Sequence, residues 1–243
     1  MSSFVMGPNG SHGRRFSRTV AAAACLIQSA ATMNPSNPIL QVDALGFAYP
    51  GQPPIASDWN ASIGPGVTLL YGDTGAGKSA LLQAIAGALP ATGRLTVAGA
   101  SLAASPEAYR RNVFFVDPST DRFDQATVHQ CTATLREGDA GFSDARWQVL
   151  VEGFSLVPHL EKSMFMLSTG SRRKVWLAAA LASGRPLVLL DEPAAALDAG
   201  SVRCLWRSLS ELSRSGEARA FLVASAERID SVPLAGTIEL PLR

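Results

Sequence analysis

Apolar and polar positions begin to alternate at Ile39. Ile39-Leu-Gln-Val-Asp-Ala-Leu45, then Phe47 and Tyr49, read as short strands with a turn at Pro50-Gly51. A second pair of runs leads through Gly64-Pro-Gly66 into the apolar strand Val67-Thr-Leu-Leu-Tyr71. Two or three antiparallel strands are therefore expected before that strand ends. Ala80 to Leu89 has helical spacing and is expected to stop at Pro90. Arg94 to Leu102 alternates as another strand, and Val113-Phe-Phe-Val116 is a buried-type strand. From about residue 126 the period changes to that of helices. Ala126 to Glu137 is one. Ser143 to Phe154 is a better one, because Ser143 can cap it and Trp147, Leu150, Val151 and Phe154 share a face. Ser171 to Ser183 and 201–215 are also helical, and Leu187-Val-Leu-Leu190, Ala220 to Ser225 and Thr237 to Leu240 are strands. The pattern is an α/β core interrupted by a helical insert.

Candidate chemistry sits where the strand at Tyr71 meets the helix at Ala80. The connection reads Gly72-Asp73-Thr74-Gly75-Ala76-Gly77-Lys78-Ser79. Strand, glycine-rich turn and helix form the context of a phosphate-binding loop. Gly72, Gly75 and Gly77 let the backbone turn its N–H groups toward phosphate oxygens, and the helix N-terminus at Ala80 adds its positive end. Lys78 can reach terminal phosphates, and the Ser79 hydroxyl can ligate Mg²⁺. A second site follows the strand at residues 187–190, which ends in Asp191-Glu192-Pro193. Asp191 at a strand's carboxyl end can hold Mg²⁺, and Glu192 can orient or deprotonate an attacking water.

Bulk properties narrow the classes. The 243 residues suffice for one large domain or one domain with a small insert. The net charge of +1 argues against a general nucleic-acid binder. Cys25, Cys131 and Cys204 show neither zinc spacing nor a disulfide framework, which fits a reducing cytosol. No apolar stretch is long enough to span a bilayer, so any membrane association is expected through a partner. Residues 1–38 differ from the rest: Arg14, Arg15 and Arg18 occur without an acidic residue, followed by a weak signal-like run from Val20 to Ile27. The expectation is a disordered extension or an early start, with Met33 as an alternative beginning and the folded domain spanning 39–243.

A third segment, Leu167-Ser168-Thr169-Gly170-Ser171, precedes the helix that contains Arg172-Arg-Lys-Val-Trp. With the phosphate loop before it, and Leu-Leu-Asp-Glu-Pro and Ala-Ala-Leu-Asp198 after it, the set resembles the ATP-binding subunit of an ABC transporter. The resemblance covers nearly all of the chain from residue 39. It implies a P-loop NTPase (RecA-like) core, an antiparallel β subdomain and a helical subdomain over about 118–170. It also implies a head-to-tail dimer of two ATP-binding subunits, homo- or heterodimeric, and a separate transmembrane permease. The location implied is cytoplasmic, at the inner face of the membrane. On that basis the loop Gly72–Ala80 holds ATP, Ser79 and Asp191 hold Mg²⁺, Lys78 contacts phosphate and Glu192 is the general base. Ser168 and Gly170 face the γ-phosphate bound by the other subunit, Asp198 communicates across the dimer, and Tyr49 stacks on adenine.

The chain departs from the family pattern at four places. Thr169 and Ser171 replace a glycine and a glutamine of the usual Leu-Ser-Gly-Gly-Gln. Threonine disfavours positive φ, so a stiffer loop is expected. Asp117-Pro118 stands where the coupling glutamine normally follows its strand. Asp117 can still bind Mg²⁺ or water, and Gln125 is a displaced substitute with the wrong spacing. Ala226 stands at the switch histidine, with Ser225 beside it as a weak replacement. Binding of Mg·ATP is expected to survive and hydrolysis to be slow or partner-dependent. The alternative is an ABC-fold regulatory or scaffold protein with little turnover.

Overall fold

A computed structural model describes residues 38–49 and 52–242. The expectations for the N-terminal extension and for the turn at Pro50-Gly51 lie outside them. The chain runs β1 (Leu40–Phe47), β2 (Ala56–Ile63), β3 (Gly66–Tyr71), α1 (Lys78–Ile85), β4 (Thr92–Val97), β5 (Ala100–Ser101), α2 (Pro106–Arg111) and β6 (Val113–Phe114). It continues through α3 (Val128–Arg136), α4 (Asp144–Gly153), two 3₁₀ turns, α5 (Thr169–Ala182), β7 (Leu187–Asp191), α6 (Ala199–Arg214), β8 (Ala220–Ser225) and β9 (Leu234–Glu239).

Two sheets result. Strands β2-β1-β4-β5 form an antiparallel sheet, and β6-β7-β8-β3-β9 form a parallel one. Side chains of the parallel strands alternate strictly between two apolar clusters. Val67, Leu69, Val188, Leu190, Phe221 and Val223 face α5, α6 and the helical insert. Leu70, Leu187, Leu189, Leu222 and Ala224 face α1, Tyr109 of α2 and the antiparallel sheet. Trp147, Leu150 and Phe154 of the insert lie in the first cluster with the core strands. Arg185 fastens the insert further, donating to the Val113 carbonyl at 3.1 Å and the Leu135 carbonyl at 3.0 Å.

Several elements differ from the expected bounds, each for a local reason. The first strand carries a β-bulge between Val42 and Leu45, with Ala44 at φ +49°. That bulge absorbs the slip in its alternation. The strand expected over 94–102 is a hairpin, broken by Ala98 and Gly99 at φ +48° and +83° and re-paired as Val97 with Ala100. Helix α1 stops at Ile85 and not at Pro90. Gly87 adopts φ +69° and donates to the Ala84 carbonyl, while Ala88 donates to Gln83. The strand expected over 113–116 pairs only at Val113 and Phe114, because the chain then turns at Asp117. Helix α2 was not expected, having only Tyr109 as a buried anchor. Its Ser105-Pro106-Glu107 start and its Arg110 and Arg111 end are nonetheless ordinary helix signals.

Register places the site. Tyr71 pairs with Ser225, and Ala224 with Asp191. The carboxyl ends of β3, β8 and β7 thus stand side by side, which brings Gly72, Ala226 and Asp191-Glu192 to one edge of the sheet.

Tyr109 joins the layers beneath that edge. Its buried hydroxyl donates to the Ile85 carbonyl at 2.6 Å, fixing the last turn of α1. Tyr109→Phe leaves that carbonyl without its donor and should lower the unfolding free energy by about 1–2 kcal/mol. Urea denaturation measures this directly, and an unchanged midpoint would show that the bond contributes nothing.

Candidate functional site

Gly75 and Gly77 adopt φ +85° and +93°, and Gly77 is the N-cap of α1, with no side chain capping the helix. The first-turn N–H groups therefore lack a side-chain partner from the cap. A Cβ at Gly77 would lie 2.7 Å from Ile55, so space as well as φ selects glycine there. Lys78 is only 6% exposed. Its Nζ donates to the Gly72 carbonyl at 2.7 Å and the Asp73 carbonyl at 3.1 Å, and pairs with Glu192 Oε1 at 3.1 Å. Asp73, Thr74, Gly75 and Ser79 are exposed, and Ala76 is half-buried. The Ala80 side chain is buried against Phe47 and Ala84, which leaves only its backbone for the loop. Tyr49 is exposed and sets its ring edge-on to Phe47 at 5.2 Å, and Phe47 packs against Ala80 of α1.

Asp191 closes β7. Its Oδ1 is sealed from solvent with no hydrogen-bond partner. Burial pushes the carboxyl upward, and the charges of Glu192 and Asp117 add to this; the Ser79 hydroxyl and Arg173 oppose it. Ser79 and Asp191 are thus neighbours across the sheet edge. Glu192 follows at φ +42°, a left-handed conformation rare for a non-glycine residue. Its N–H donates to Ala224 at 3.0 Å, and its carbonyl accepts from Arg173 Nη1.

Asp117 is near enough to influence Asp191, but both its oxygens carry protein donors. Oδ1 accepts from Ser119 N at 2.8 Å and Ser119 Oγ at 2.6 Å, and Oδ2 accepts from Gln83 Nε2 at 3.0 Å. Sequence reasoning missed Gln83, which looks like one more polar position on α1. Gln125, the displaced glutamine, is exposed in the turn before α3. Ser225 accepts from Glu227 N at 3.0 Å, and Ala226 brings no polar group.

The segment around Ser168 is the N-terminus of α5. Ser168 is its N-cap, accepting from Ser171 N at 3.2 Å. Thr169 is the first helical residue and is not at positive φ, so the expected stiffening of a left-handed loop does not arise. Gly170 is required by a close approach: a Cβ there would meet the Ala196 carbonyl at 2.4 Å. Asp198 caps α6, accepting from Ser201 N at 2.9 Å and Oγ at 2.8 Å, and pairs with Lys174 at 2.6 Å. The Lys174 contact, followed by the Ser201 bonds, holds its carboxyl well below the usual range.

Among the described residues no group of three or more His, Cys, Asp or Glu is arranged to hold a metal by itself. The unpaired Asp191 Oδ1 and the adjacent Ser79 hydroxyl fit Mg²⁺, a cation that takes oxygen ligands.

A phosphate loop, an acidic strand end and a helix N-terminus placed this way define a P-loop nucleotide-binding domain. The family model described as ABC transporter matches residues 57–195. The cytochrome c biogenesis ATP-binding export protein CcmA of Paraburkholderia xenovorans is 33% identical over 84% of this chain and 96% of its own length. The cobalt import ATP-binding protein CbiO of Rhodobacter capsulatus is 32% identical over 78% of this chain and 71% of its own. A solved ATP-binding subunit of an ABC transporter superposes with a TM-score of 0.66 at 24% identity, covering 76% of this chain and 79% of that one. The chain belongs to the ABC transporter family, as one of its ATP-binding subunits, the ATP-hydrolysing components that energise transport through a separate permease. Among the described residues no helix is long and apolar enough to cross a membrane.

Lys78→Ala should raise the Kd for Mg·ATP by about 10–100-fold, the loss of one charge-assisted contact. Isothermal titration of the folded variant measures this; an unchanged Kd would remove the phosphate loop from the site.

Proposed function

We propose that the chain binds Mg·ATP between two head-to-tail ATP-binding subunits and hydrolyses it slowly while docked on its permease at the inner face of the membrane. The convergence of Lys78, Ser79, Asp191 and Glu192 at the carboxyl ends of β3 and β7 carries this reading. On binding, Lys78 exchanges its loop carbonyls for phosphate oxygens, and the free N–H groups of the loop and of α1 take the rest. Mg²⁺ bound with the nucleotide supplies charge neutralisation between the phosphates. Ser79 and Asp191 would hold it, and Asp117, whose oxygens accept from Ser119 and Gln83, would bind it or its water. Glu192, released from Lys78, accepts the proton of the attacking water. Tyr49 offers a ring face to adenine.

The other subunit completes the site with Ser168, Gly170 and the N-terminus of α5. Asp198 and Gly170 tie that helix end to the acidic segment of the same chain, which favours communication between the two sites. ATP closes the pair and hydrolysis reopens it. The export and import substrates in the relatives' names are those proteins' own, and the cargo here is left to the permease.

Slow turnover rests on Ala226. Its methyl cannot hydrogen-bond the γ-phosphate, and the neighbouring Ser225 hydroxyl, which accepts from Glu227 N, is the weak replacement. The same observation favours a second reading, a regulatory member that binds ATP with little turnover. Glu192→Gln separates the two. An enzyme accumulates a stable ATP-bound dimer only after that change, whereas a non-hydrolysing protein forms it beforehand.

Ala226→His should raise kcat at least about tenfold at unchanged Mg·ATP affinity, since one such transition-state contact is worth on the order of 10²–10³-fold. Steady-state ATPase assays check this. Fast hydrolysis that the histidine does not increase would contradict the assignment.

A further inference from the structure

Arg173 stands on α5, one turn beyond Ser168, and its guanidinium faces the acidic segment from behind. Nη1 donates to the Glu192 carbonyl and reaches the Asp191 carbonyl at 3.4 Å. Nε is sealed from solvent with no partner. A half-buried arginine whose sealed Nε is left unpaired carries a cost, so its remaining contacts matter.

Glu192 is the residue that needs such a contact. Its φ of +42° places an L side chain in the left-handed region, where it persists only if the surroundings over-determine it. Its N–H is held from the front by Ala224. Its carbonyl is held from behind by Arg173, with Ala195 N at 3.0 Å as the second donor. The peptide groups on both sides are therefore fixed, and the carboxylate is aimed at Lys78. The same two turns of α5 touch the segment again at Gly170 against the Ala196 carbonyl and at Lys174 on Asp198.

We propose that Arg173 is a positioning residue for hydrolysis, holding the left-handed Glu192 backbone so that its carboxylate meets the γ-phosphate end of the loop. This rests on the reading of Glu192 as the general base. It adds a physical link: the helix that begins at the segment facing the other subunit's nucleotide also sets the direction of this chain's own base. Both contacts come from the one nitrogen Nη1, so a lysine keeps the charge and can restore part of this hold without the planar fork.

The test is single-turnover hydrolysis of Mg·ATP, with equilibrium binding measured in parallel. The full chain is used as wild type, Arg173→Met, Arg173→Lys, Glu192→Gln and the double variant Arg173→Met/Glu192→Gln. Arg173→Met should slow hydrolysis about 10–100-fold, the cost of a misplaced group, with Kd changed less than about threefold. Arg173→Lys should fall between it and wild type. The double variant should be no slower than Glu192→Gln alone, because both changes remove one function. Should Arg173→Met fail to fold, Arg173→Lys combined with Glu192→Gln carries the same comparison. Wild-type rates in Arg173→Met, a Kd that weakens as much as the rate falls, or losses that multiply in the double variant each overturn the positioning role. Glu192→Gln hydrolysing at the wild-type rate instead overturns the reading of Glu192, and the positioning role with it.

Discussion

A lysine ammonium buried at the edge of a parallel sheet must be surrounded by oxygen, and the site is arranged around that requirement. Lys78 meets it with two carbonyls of its own loop and with Glu192 from the end of β7. Gly75 and Gly77 take left-handed turns between those carbonyls and Lys78. Glu192 reaches Lys78 because it, too, is left-handed. The strand register fixes the separation, since β8 alone lies between β3 and β7. One buried charge thus links the loop, the sheet topology and the acidic strand end. These same contacts are ones that phosphate oxygens can replace.

Helix α5 extends the arrangement. Its capped first turn carries Ser168 and Gly170, and its next turn carries Arg173 and Lys174. Every one of Gly170, Arg173 and Lys174 touches the stretch from Asp191 to Asp198. The same N-terminal end of the helix therefore carries Ser168 and clamps the acidic segment. The insert packs on the same buried cluster as α5.

Much of this was legible in the chain, and the failures are instructive. The phosphate loop declares itself because backbone and side chain demands coincide at Gly75, Gly77, Lys78 and Ser79. Asp191-Glu192 is legible because a continuous apolar run is a buried parallel strand with its chemistry at its end. Secondary elements failed where one or two residues overrode the period: Gly87 ended α1 early, and Ala98-Gly99 folded one strand into two. The helix Pro106–Arg111 was hidden because Tyr109 alone faces the core. Gln83 and Arg173 could not be read at all as site residues. Both are ordinary polar positions on amphipathic helices, and only packing shows that one reaches Asp117 and the other the backbone of Glu192.

The claim on which the rest depends is that the loop at 72–79 and the end of β7 form one metal–nucleotide site. Electron paramagnetic resonance of Mn²⁺ titrated with ATP tests it without relying on turnover. In the wild-type protein Mn²⁺ should become immobilised only when ATP is present, and Asp191→Asn should weaken that signal by about tenfold or more while the fold is retained. An Asp191→Asn protein that immobilises Mn²⁺·ATP as tightly as wild type would contradict the account.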